Sequence, residues 1–225
     1  MMAQPSGAPV FPPFSVISPQ FVTQEPLEII VDSYPGRNLV ISNINHKIML
    51  KVQPCDTFTH YQSVLLDVND KPIAMLQKQL SSTHSRWNVF KGESKSDSDM
   101  IFTAKNENMI QLKTNISMML ANKMRSNDVC DLRIKGSWSK GNFTIYRGNS
   151  SSEMARIHKP QSKKKYEAAD KFTVTIQPNM DYACVVALLA IVDANEHPDD
   201  NTAMYTAAAK GSLSSARNIG DFLQV

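Results

Sequence analysis

The sequence predicts an α+β domain, in which a closed antiparallel β-barrel of about ten to twelve short strands surrounds one hydrophobic helix near the C-terminal end. Two observations predict this fold. Short β-type segments separated by turn residues follow one another between residues 39 and 176, and an entirely apolar segment comes after them at Tyr182–Val192. A barrel leaves no exposed sheet edge, and a large barrel has room to enclose such a segment.

The helix prediction rests on the length of the apolar segment, which exceeds the roughly 4–8 residues of a buried strand. Asn179 is the predicted capping residue, Asp181 places a negative charge in the first turn, and Pro198 prevents continuation. A helix over residues 180–194 would be only ~22 Å long. Since a bilayer span takes ~20 apolar residues, we expect protein and not lipid to surround it. Its predicted core residues are Tyr182, Val185, Val186, Leu188, Leu189, Ile191 and Val192.

Two predicted hairpins share one pattern. Ile41–Lys47 and Leu65–Lys71 align as apolar, any, Asn or Asp, β-branched, Asn, any, Lys. Asn and Asp tolerate the left-handed backbone that tight turns require. Two unrelated hairpins with common turn chemistry would explain the pattern almost as well. The other strands are predicted at residues 86–91, 100–105, 109–114, 116–120, 131–135, 143–147, 153–158 and 172–176.

The chain divides into three predicted regions. Residues 1–35 hold seven prolines and are expected to form an extended, loosely held arm, in which residues 25–32 pair with a strand. Residues 36–195 form the barrel domain with its central helix, and residues 196–225 form a peripheral tail.

Composition bounds the class of protein and its compartment. The net charge of +3 is too small to indicate a nucleic-acid partner by itself, and three cysteines without metal-ligand spacing favour a reducing compartment. The N-terminus lacks the basic region and apolar core of a signal peptide. These features predict an intracellular, cytoplasmic protein without a transmembrane span, with the plasma-membrane periphery and the nucleus as alternatives.

Several of the strand segments resemble the plant LURP-one-related proteins. The blocks Arg86–Gly92, Gln111–Thr114, Cys130–Trp138 and Phe172–Ala183 carry this resemblance, which extends over residues 38–193. That family is similar to the Tubby C-terminal domain and the phospholipid scramblases. The resemblance therefore implies a Tubby-like barrel of twelve antiparallel strands around a central, hydrophobic C-terminal helix.

The resemblance implies less about activity. Members of the family are linked to plant defence, without an established biochemical reaction. Analogy with Tubby, whose barrel binds phosphoinositides, suggests membrane-tethered transcription regulation. Neither Tubby's phosphoinositide-binding residues nor the calcium-binding segment of the scramblases can be matched to positions in this sequence, and fold alone does not carry function.

The strongest local charge cluster is the predicted site for anionic lipid. It begins at the end of the eleventh predicted strand, continues in the loop before the last strand, and comprises Arg156, Lys159, Lys163, Lys164 and Lys165. Each basic side chain near an anionic membrane surface contributes ~1 kcal/mol of binding free energy. The alternative is a solvated loop that serves solubility.

A second basic feature lies on one predicted strand, where Arg133 and Lys135 share the polar face and Lys113 is a candidate neighbour. Such a face suits phosphates of lipid or nucleic acid. Proteins that bind single strands usually interleave aromatic side chains with the charges, whereas Trp138 and Phe143 are expected to pack in the core. Nucleic acid is therefore the least favoured ligand.

We expect no enzyme activity, cofactor or metal site. The five histidines are scattered, no serine occupies a nucleophile elbow, and the aspartates lack a calcium-loop pattern. The sequence thus favours a non-enzymatic module that binds an anionic lipid, such as a phosphoinositide, or a protein partner. A lipid-translocating protein of scramblase type and a membrane-tethered transcription regulator are the alternatives. The oligomeric state is not predicted.

Overall fold

The computed structural model describes residues 12–34, 37–55, 62–79, 85–107, 114–123, 129–137, 141–158 and 170–196. These residues form twelve strands and one long helix, together with three single 3-10 turns at Pro19–Phe21, Asp97–Asp99 and Ala121–Lys123. The strands are β1 (Leu27–Tyr34), β2 (Asn38–Asn43), β3 (Ile48–Pro54), β4 (Gln62–Leu66), β5 (Pro72–Gln79), β6 (Arg86–Lys91), β7 (Met100–Asn106), β8 (Thr114–Leu120), β9 (Leu132–Ser137), β10 (Asn142–Arg147), β11 (Glu153–His158) and β12 (Asp170–Ile176).

Every strand pairs antiparallel with the next one along the chain, and β12 pairs with β1, from Leu27 opposite Ile176 to Ser33 opposite Asp170. This ring confirms the predicted closed barrel. Side chains alternate between its inside and its outside, because successive residues of a strand point to opposite faces. In β9, for example, Leu132 and Ile134 are fully buried, whereas Lys135 is exposed.

Helix α1 (Tyr182–Glu196) runs through the barrel. From Ala183 to Leu188 each of its residues is inaccessible to solvent, which confirms the enclosed hydrophobic helix. An entirely apolar helix can be stable only where other groups cover every face, and here the inward side chains of the strands do so. Tyr182 differs from the other predicted core residues, since it is only partly buried at the end of the barrel.

The helix is capped by Asp181, not by the predicted Asn179. The Asp181 carboxylate accepts a hydrogen bond from the backbone N–H of Cys184 (3.0 Å), and its backbone carbonyl accepts one from Val185 (3.2 Å). Asn179 has a left-handed backbone (φ 65°), and its backbone groups bond instead to Thr23 and Phe14. A short acceptor side chain directly before the first helical residue satisfies N–H groups that the helix leaves free. Asp181 occupies that position.

The first strand lies within the segment predicted as an arm. Leu27–Tyr34 is β1, so the barrel begins before the predicted boundary at residue 36. Residues 12–22 are also held, because the Phe14 N–H donates to the carbonyl of Asn179 (2.7 Å) and Phe21 is buried against the edge of Tyr182. The strand pairing expected for residues 25–32 is thus present as β1, and residues 12–22 are held by these contacts. Residues 1–11 and 197–225, which include most of the predicted tail, lie outside the described residues.

Polar contacts also fix the other end of the helix. The Ser33 hydroxyl donates to the Asp193 carboxylate (3.2 Å), and the Asn195 side-chain oxygen accepts from the Ser85 hydroxyl (2.8 Å) and the Trp87 indole N–H (3.1 Å). The helix is thus tied to β1 and to the start of β6. Within the part of the chain that the structure describes, no helix is both long enough and apolar enough to cross a membrane.

The two hairpins with the shared pattern have the same turn. In the β2–β3 turn the Asn43 side-chain oxygen accepts from the N–H groups of Asn45 and Lys47, both at 3.0 Å. In the β4–β5 turn the Asp67 carboxylate accepts from those of Asn69 (2.8 Å) and Lys71 (2.9 Å). His46 and Asp70, at equivalent positions, have φ values of 59° and 60°. We call these two segments, residues 43–47 and 67–71, the twin turns.

Candidate functional site

Of the five residues predicted to bind anionic lipid, the structure describes Arg156. It lies exposed on β11, and its guanidinium forms an ion pair with Glu153 of the same strand. The hydrogen bond to Glu153 and the charge of that carboxylate raise the pKa of Arg156 above its usual value. Lys159, Lys163, Lys164 and Lys165 lie outside the described residues, and their role stays a prediction.

Strand register brings other basic residues together on the outer surface of the barrel. Arg86 of β6 lies opposite Lys105 of β7, Lys105 lies opposite Ser117 of β8, and Ser117 lies opposite Arg133 of β9. Neighbouring strands are ~4.8 Å apart, so this row places three basic side chains within ~15 Å. No spacing along the sequence indicates the row, because its members come from three separate strands.

A second row runs beside the first and contains Arg156. Lys135, two residues after Arg133 on β9, points to the same outer face. It lies opposite Thr144 of β10, which in turn lies opposite Arg156 of β11. We call the five basic residues of the two rows, Arg86, Lys105, Arg133, Lys135 and Arg156, the basic wall.

Two of these five cations have a carboxylate partner. Lys105 lies 3.7 Å from Glu107, which also accepts a hydrogen bond from the Ser117 hydroxyl, and Arg156 pairs with Glu153. Among the described residues, the other three form no ion pair: Arg86, Arg133 and Lys135. The wall therefore carries a net positive charge.

Arg133 has the least satisfied side chain of the wall. Its Nε atom is buried and has no hydrogen-bond partner within the described part of the chain. A buried donor without a partner costs ~1–3 kcal/mol of stability. The guanidinium group matches the geometry of phosphate and carboxylate oxygens, which accept two of its hydrogen bonds at once. Arg133 is thus the wall residue whose guanidinium keeps unused hydrogen-bonding capacity among the described residues.

Sequence reasoning identified part of this surface. The alternation of β9 indicated that Arg133 and Lys135 share a face, and the basic cluster that begins in β11 indicated Arg156. Lys113 and Trp138 lie outside the described residues, whereas Phe143 is buried in the core as expected. Sequence reasoning missed Arg86 and Lys105, because only the strand pairing places them beside Arg133.

The comparisons with known proteins agree with the barrel and its helix. A model of the LURP-one-related family matches residues 29–193. Protein LURP-one-related 15 of Arabidopsis thaliana is 32% identical over 195 residues, which are 84% of this chain and 89% of that protein. Protein LURP-one-related 10 of the same plant is 31% identical over 185 residues, covering 80% of this chain and 95% of that protein.

A solved structure has the same fold. The X-ray structure of a protein from Arabidopsis thaliana superimposes with a TM-score of 0.65 at 28% sequence identity, and the match covers 81% of this chain and 99% of that one. The family match begins within β1 and ends within α1, so it includes the strand that closes the barrel and most of the helix that fills it. The chain belongs to the LURP-one-related family.

Proposed function

We propose that this protein is a non-enzymatic module that binds the headgroup of an anionic lipid, of the phosphoinositide class, through the basic wall. The observation that supports this proposal is the pair of register rows, which place Arg86, Arg133 and Lys135 together without carboxylate partners among the described residues. The plant-defence setting follows from the family resemblance.

The chemistry of the wall suits a headgroup with several phosphates. Arg133 and Lys135 lie two residues apart on one strand, so a phosphate between them can accept hydrogen bonds from both. Arg156, two strands away, is close enough for a second phosphate of the same headgroup. Each cation also adds ~1 kcal/mol of attraction to an anionic membrane surface.

The test is co-sedimentation of the full chain with vesicles of phosphatidylcholine, either alone or with phosphatidylinositol bisphosphate added. We expect binding to the anionic vesicles only. Replacing Arg133→Gln together with Lys135→Gln should remove ~2 kcal/mol of binding free energy, which is about a thirtyfold loss of affinity. The matched control is Lys91→Gln, an exposed lysine at the far end of β6.

Two results would contradict the proposal. Equal binding to neutral and anionic vesicles would show that the headgroup charge is not recognised. Unchanged affinity of the Arg133→Gln, Lys135→Gln protein would show that the wall is not the site, whatever lipid is bound.

The predicted lysines after β11 are tested separately in the same experiment. Arg156 lies two residues before His158, the last residue of β11, so these lysines follow the wall directly in sequence. Replacing Lys163, Lys164 and Lys165 with glutamate tests their predicted contribution. If this variant alone lost binding, the site would be assigned to that segment and not to the wall.

Within the described part of the chain, the positions of His46 and His158 support the proposal that the protein is not an enzyme. His46 lies in one of the twin turns and His158 at the end of β11, and both are exposed. His46 follows β2 and His158 ends β11, and β12 and β1 lie between these two strands, so at ~4.8 Å per strand the two side chains do not form a pair. Hydrolysis or group transfer by the purified protein in a broad substrate screen would contradict this part of the proposal.

A further inference from the structure

A cleft of about 770 Å³ opens at the end of the barrel where α1 begins. Its walls come from the N-terminal segment, from β1 and β3, from the start of β5 and from the twin turns, with Tyr182 of the helix at its base. This volume lies in the range of roughly 300–1,000 Å³ that is typical of small-molecule sites. The cleft lies on the β1–β5 side of the barrel, whereas the basic wall lies on β6–β11.

The inner part of the cleft is apolar. Phe21 is buried there, and Leu27, Met49 and Ile73 are partly buried and pack against the core. Near the opening, Ile48 and Val68 remain 42% and 50% exposed. Covering apolar surface of this kind contributes roughly 25 cal/mol per Å². The cleft therefore offers binding free energy to a ligand with an apolar part.

Lys47 and Lys71 supply positive charge at the rim. They occupy equivalent positions in the twin turns, where the side-chain oxygens of Asn43 and Asp67 hold their backbone N–H groups. Both lysine side chains are exposed, and within the described residues neither forms an ion pair. The turns thus fix the backbone of both lysines and leave their ammonium groups available to an anion.

The nearby acids do not cancel this charge completely. Asp70 is paired with Lys51 at 2.7 Å, so its charge is balanced locally. Asp67 lines the cleft, but one of its carboxylate oxygens accepts the two backbone hydrogen bonds of its turn. Two lysines therefore face one partly satisfied carboxylate, and the rim is net positive.

Tyr182 can contribute a hydrogen-bond donor at the base. Its ring packs edge-on against Phe21, with ring centroids 5.4 Å apart. Burial raises the pKa of its phenol, and the neighbouring Asp181 carboxylate raises it further, so the hydroxyl stays protonated at neutral pH.

We propose that this cleft binds a free single-chain amphiphile, whose apolar chain lies on Phe21, Leu27 and Ile73 and whose anionic head lies between Lys47 and Lys71. Carboxylate and phosphate heads share the chemistry that the two ammonium groups recognise. The concave, mixed surface favours a single molecule that enters the cleft. The site is independent of the lipid headgroup proposed for the basic wall.

The test is calorimetric titration of the full chain with decanoate, decyl phosphate, 1-decanol and inorganic phosphate. Decanoate and decyl phosphate are kept below their micelle concentrations, and 1-decanol is kept below its solubility limit. We expect decanoate or decyl phosphate to bind, and the comparison between them identifies the preferred head. The uncharged 1-decanol should bind about tenfold more weakly, because one charge-assisted hydrogen bond corresponds to about that factor. Inorganic phosphate should bind more weakly still, because it has no chain.

Two variants locate the site. Replacing Lys47→Gln together with Lys71→Gln should weaken decanoate binding about tenfold or more. Replacing Val68→Trp should obstruct the opening and reduce binding further. All three positions are exposed, so we expect the variants to fold, and thermal unfolding checks this. Lys91→Gln is the matched charge control, and Arg133→Gln with Lys135→Gln should bind decanoate normally.

Three outcomes would overturn the proposal. The first is that neither amphiphile binds the wild-type protein. The second is that inorganic phosphate binds as tightly as decyl phosphate, which would indicate a simple anion site. The third is that the Lys47→Gln, Lys71→Gln protein keeps wild-type affinity, which would place the ligand elsewhere.

Discussion

The backbone N–H of Ile17 donates a 2.7 Å hydrogen bond to the carboxylate of Asp181, a residue 164 positions later in the chain. The same oxygen accepts from the N–H groups of Val16 (3.0 Å) and Ser18 (3.2 Å), while the other oxygen caps α1 at Cys184. Asp181 is fully buried. Successive backbone N–H groups form a concave site for negative charge, as does the start of a helix. One carboxylate therefore joins the N-terminal segment to the central helix.

Replacing Asp181→Asn should destabilise the protein by ~3 kcal/mol. In the wild-type protein the two carboxylate oxygens accept hydrogen bonds from the N-terminal segment and from α1. An amide has one acceptor oxygen and one NH₂ group, so one of these two sets of N–H groups would lose its acceptor and face a donor. Urea unfolding at neutral pH measures the loss. The control is Asp97→Asn in an exposed turn, which we expect to change stability by less than ~0.5 kcal/mol. Equal stabilities for the two variants would show that the Asp181 carboxylate does not hold the N-terminal segment.

The twin turns should respond alike to mutation. Asn43→Ala and Asp67→Ala each remove an oxygen that accepts two backbone hydrogen bonds. Each substitution should therefore lower the free energy of unfolding by ~1–2 kcal/mol. The exchanges Asn43→Asp and Asp67→Asn keep the acceptor and should cost less than ~0.5 kcal/mol. Chemical unfolding of the four variants tests this equivalence. A large loss in only one of the two alanine variants would contradict it.

Gly136 and Gly92 form a matched pair for a test of packing between strands. A Cβ at Gly136, where φ is 152°, would collide with Phe143 on β10, whereas a Cβ at Gly92 would meet no atom within 4 Å. We expect Gly136→Ala to lower the free energy of unfolding by more than ~3 kcal/mol. Gly92 has a left-handed φ of 55°, and we expect Gly92→Ala to lower it by ~1 kcal/mol. Thermal unfolding compares them. Similar melting temperatures would mean that β9 and β10 can separate at little cost.

Charge in the centre of α1 should prevent folding. Val186 is fully buried, and an aspartate there would place an unpaired carboxylate among apolar side chains. We expect Val186→Asp to lower the free energy of unfolding by more than ~5 kcal/mol, which is comparable to the whole stability of many domains. Val68→Asp makes the same substitution at an exposed site and should leave the melting temperature nearly unchanged. A folded Val186→Asp protein would contradict the enclosed helix.

Alkaline pH should destabilise the protein partly through Cys184. Burial raises the pKa of this thiol well above its ordinary value of 9.0, and the Asp181 carboxylate raises it further. Above the ordinary pKa of 9.0 the thiol of the unfolded chain loses its proton, while the thiol of the folded chain keeps it. The free energy of unfolding therefore falls as the pH rises. The contribution approaches ~1.4 kcal/mol per pH unit.

Cys184→Ala isolates this effect, because alanine does not ionise. The variant should be less stable at neutral pH, since it leaves a small cavity, but its stability should fall less steeply between about pH 8 and pH 10. Lys78, whose pKa burial lowers, contributes with the opposite sign in both proteins and cancels in the comparison. Parallel stability curves for the two proteins would show that the Cys184 thiol does not hold its proton on folding.

The two basic features illustrate what sequence can indicate about a site. Arg133 and Lys135 share the outer face of β9 because the side-chain period of a strand is two, and the sequence alone predicts this. Arg86 and Lys105 join them only through the register of β6 to β9. The cleft between the twin turns was not predicted, because its apolar base comes from β1, β3 and the N-terminal segment.

The sequence by itself determined the enclosed helix, the alternating strands and the chemistry of the twin turns. Each depends on neighbouring residues, whose hydrophobicity and turn preferences act over a few positions. Only the tertiary structure decided that β1 closes the ring, that Asp181 binds Ile17, and that the basic wall assembles across β6–β11. Strand register and barrel closure are set by the packing of the whole core, and they bring together residues that no short-range pattern connects.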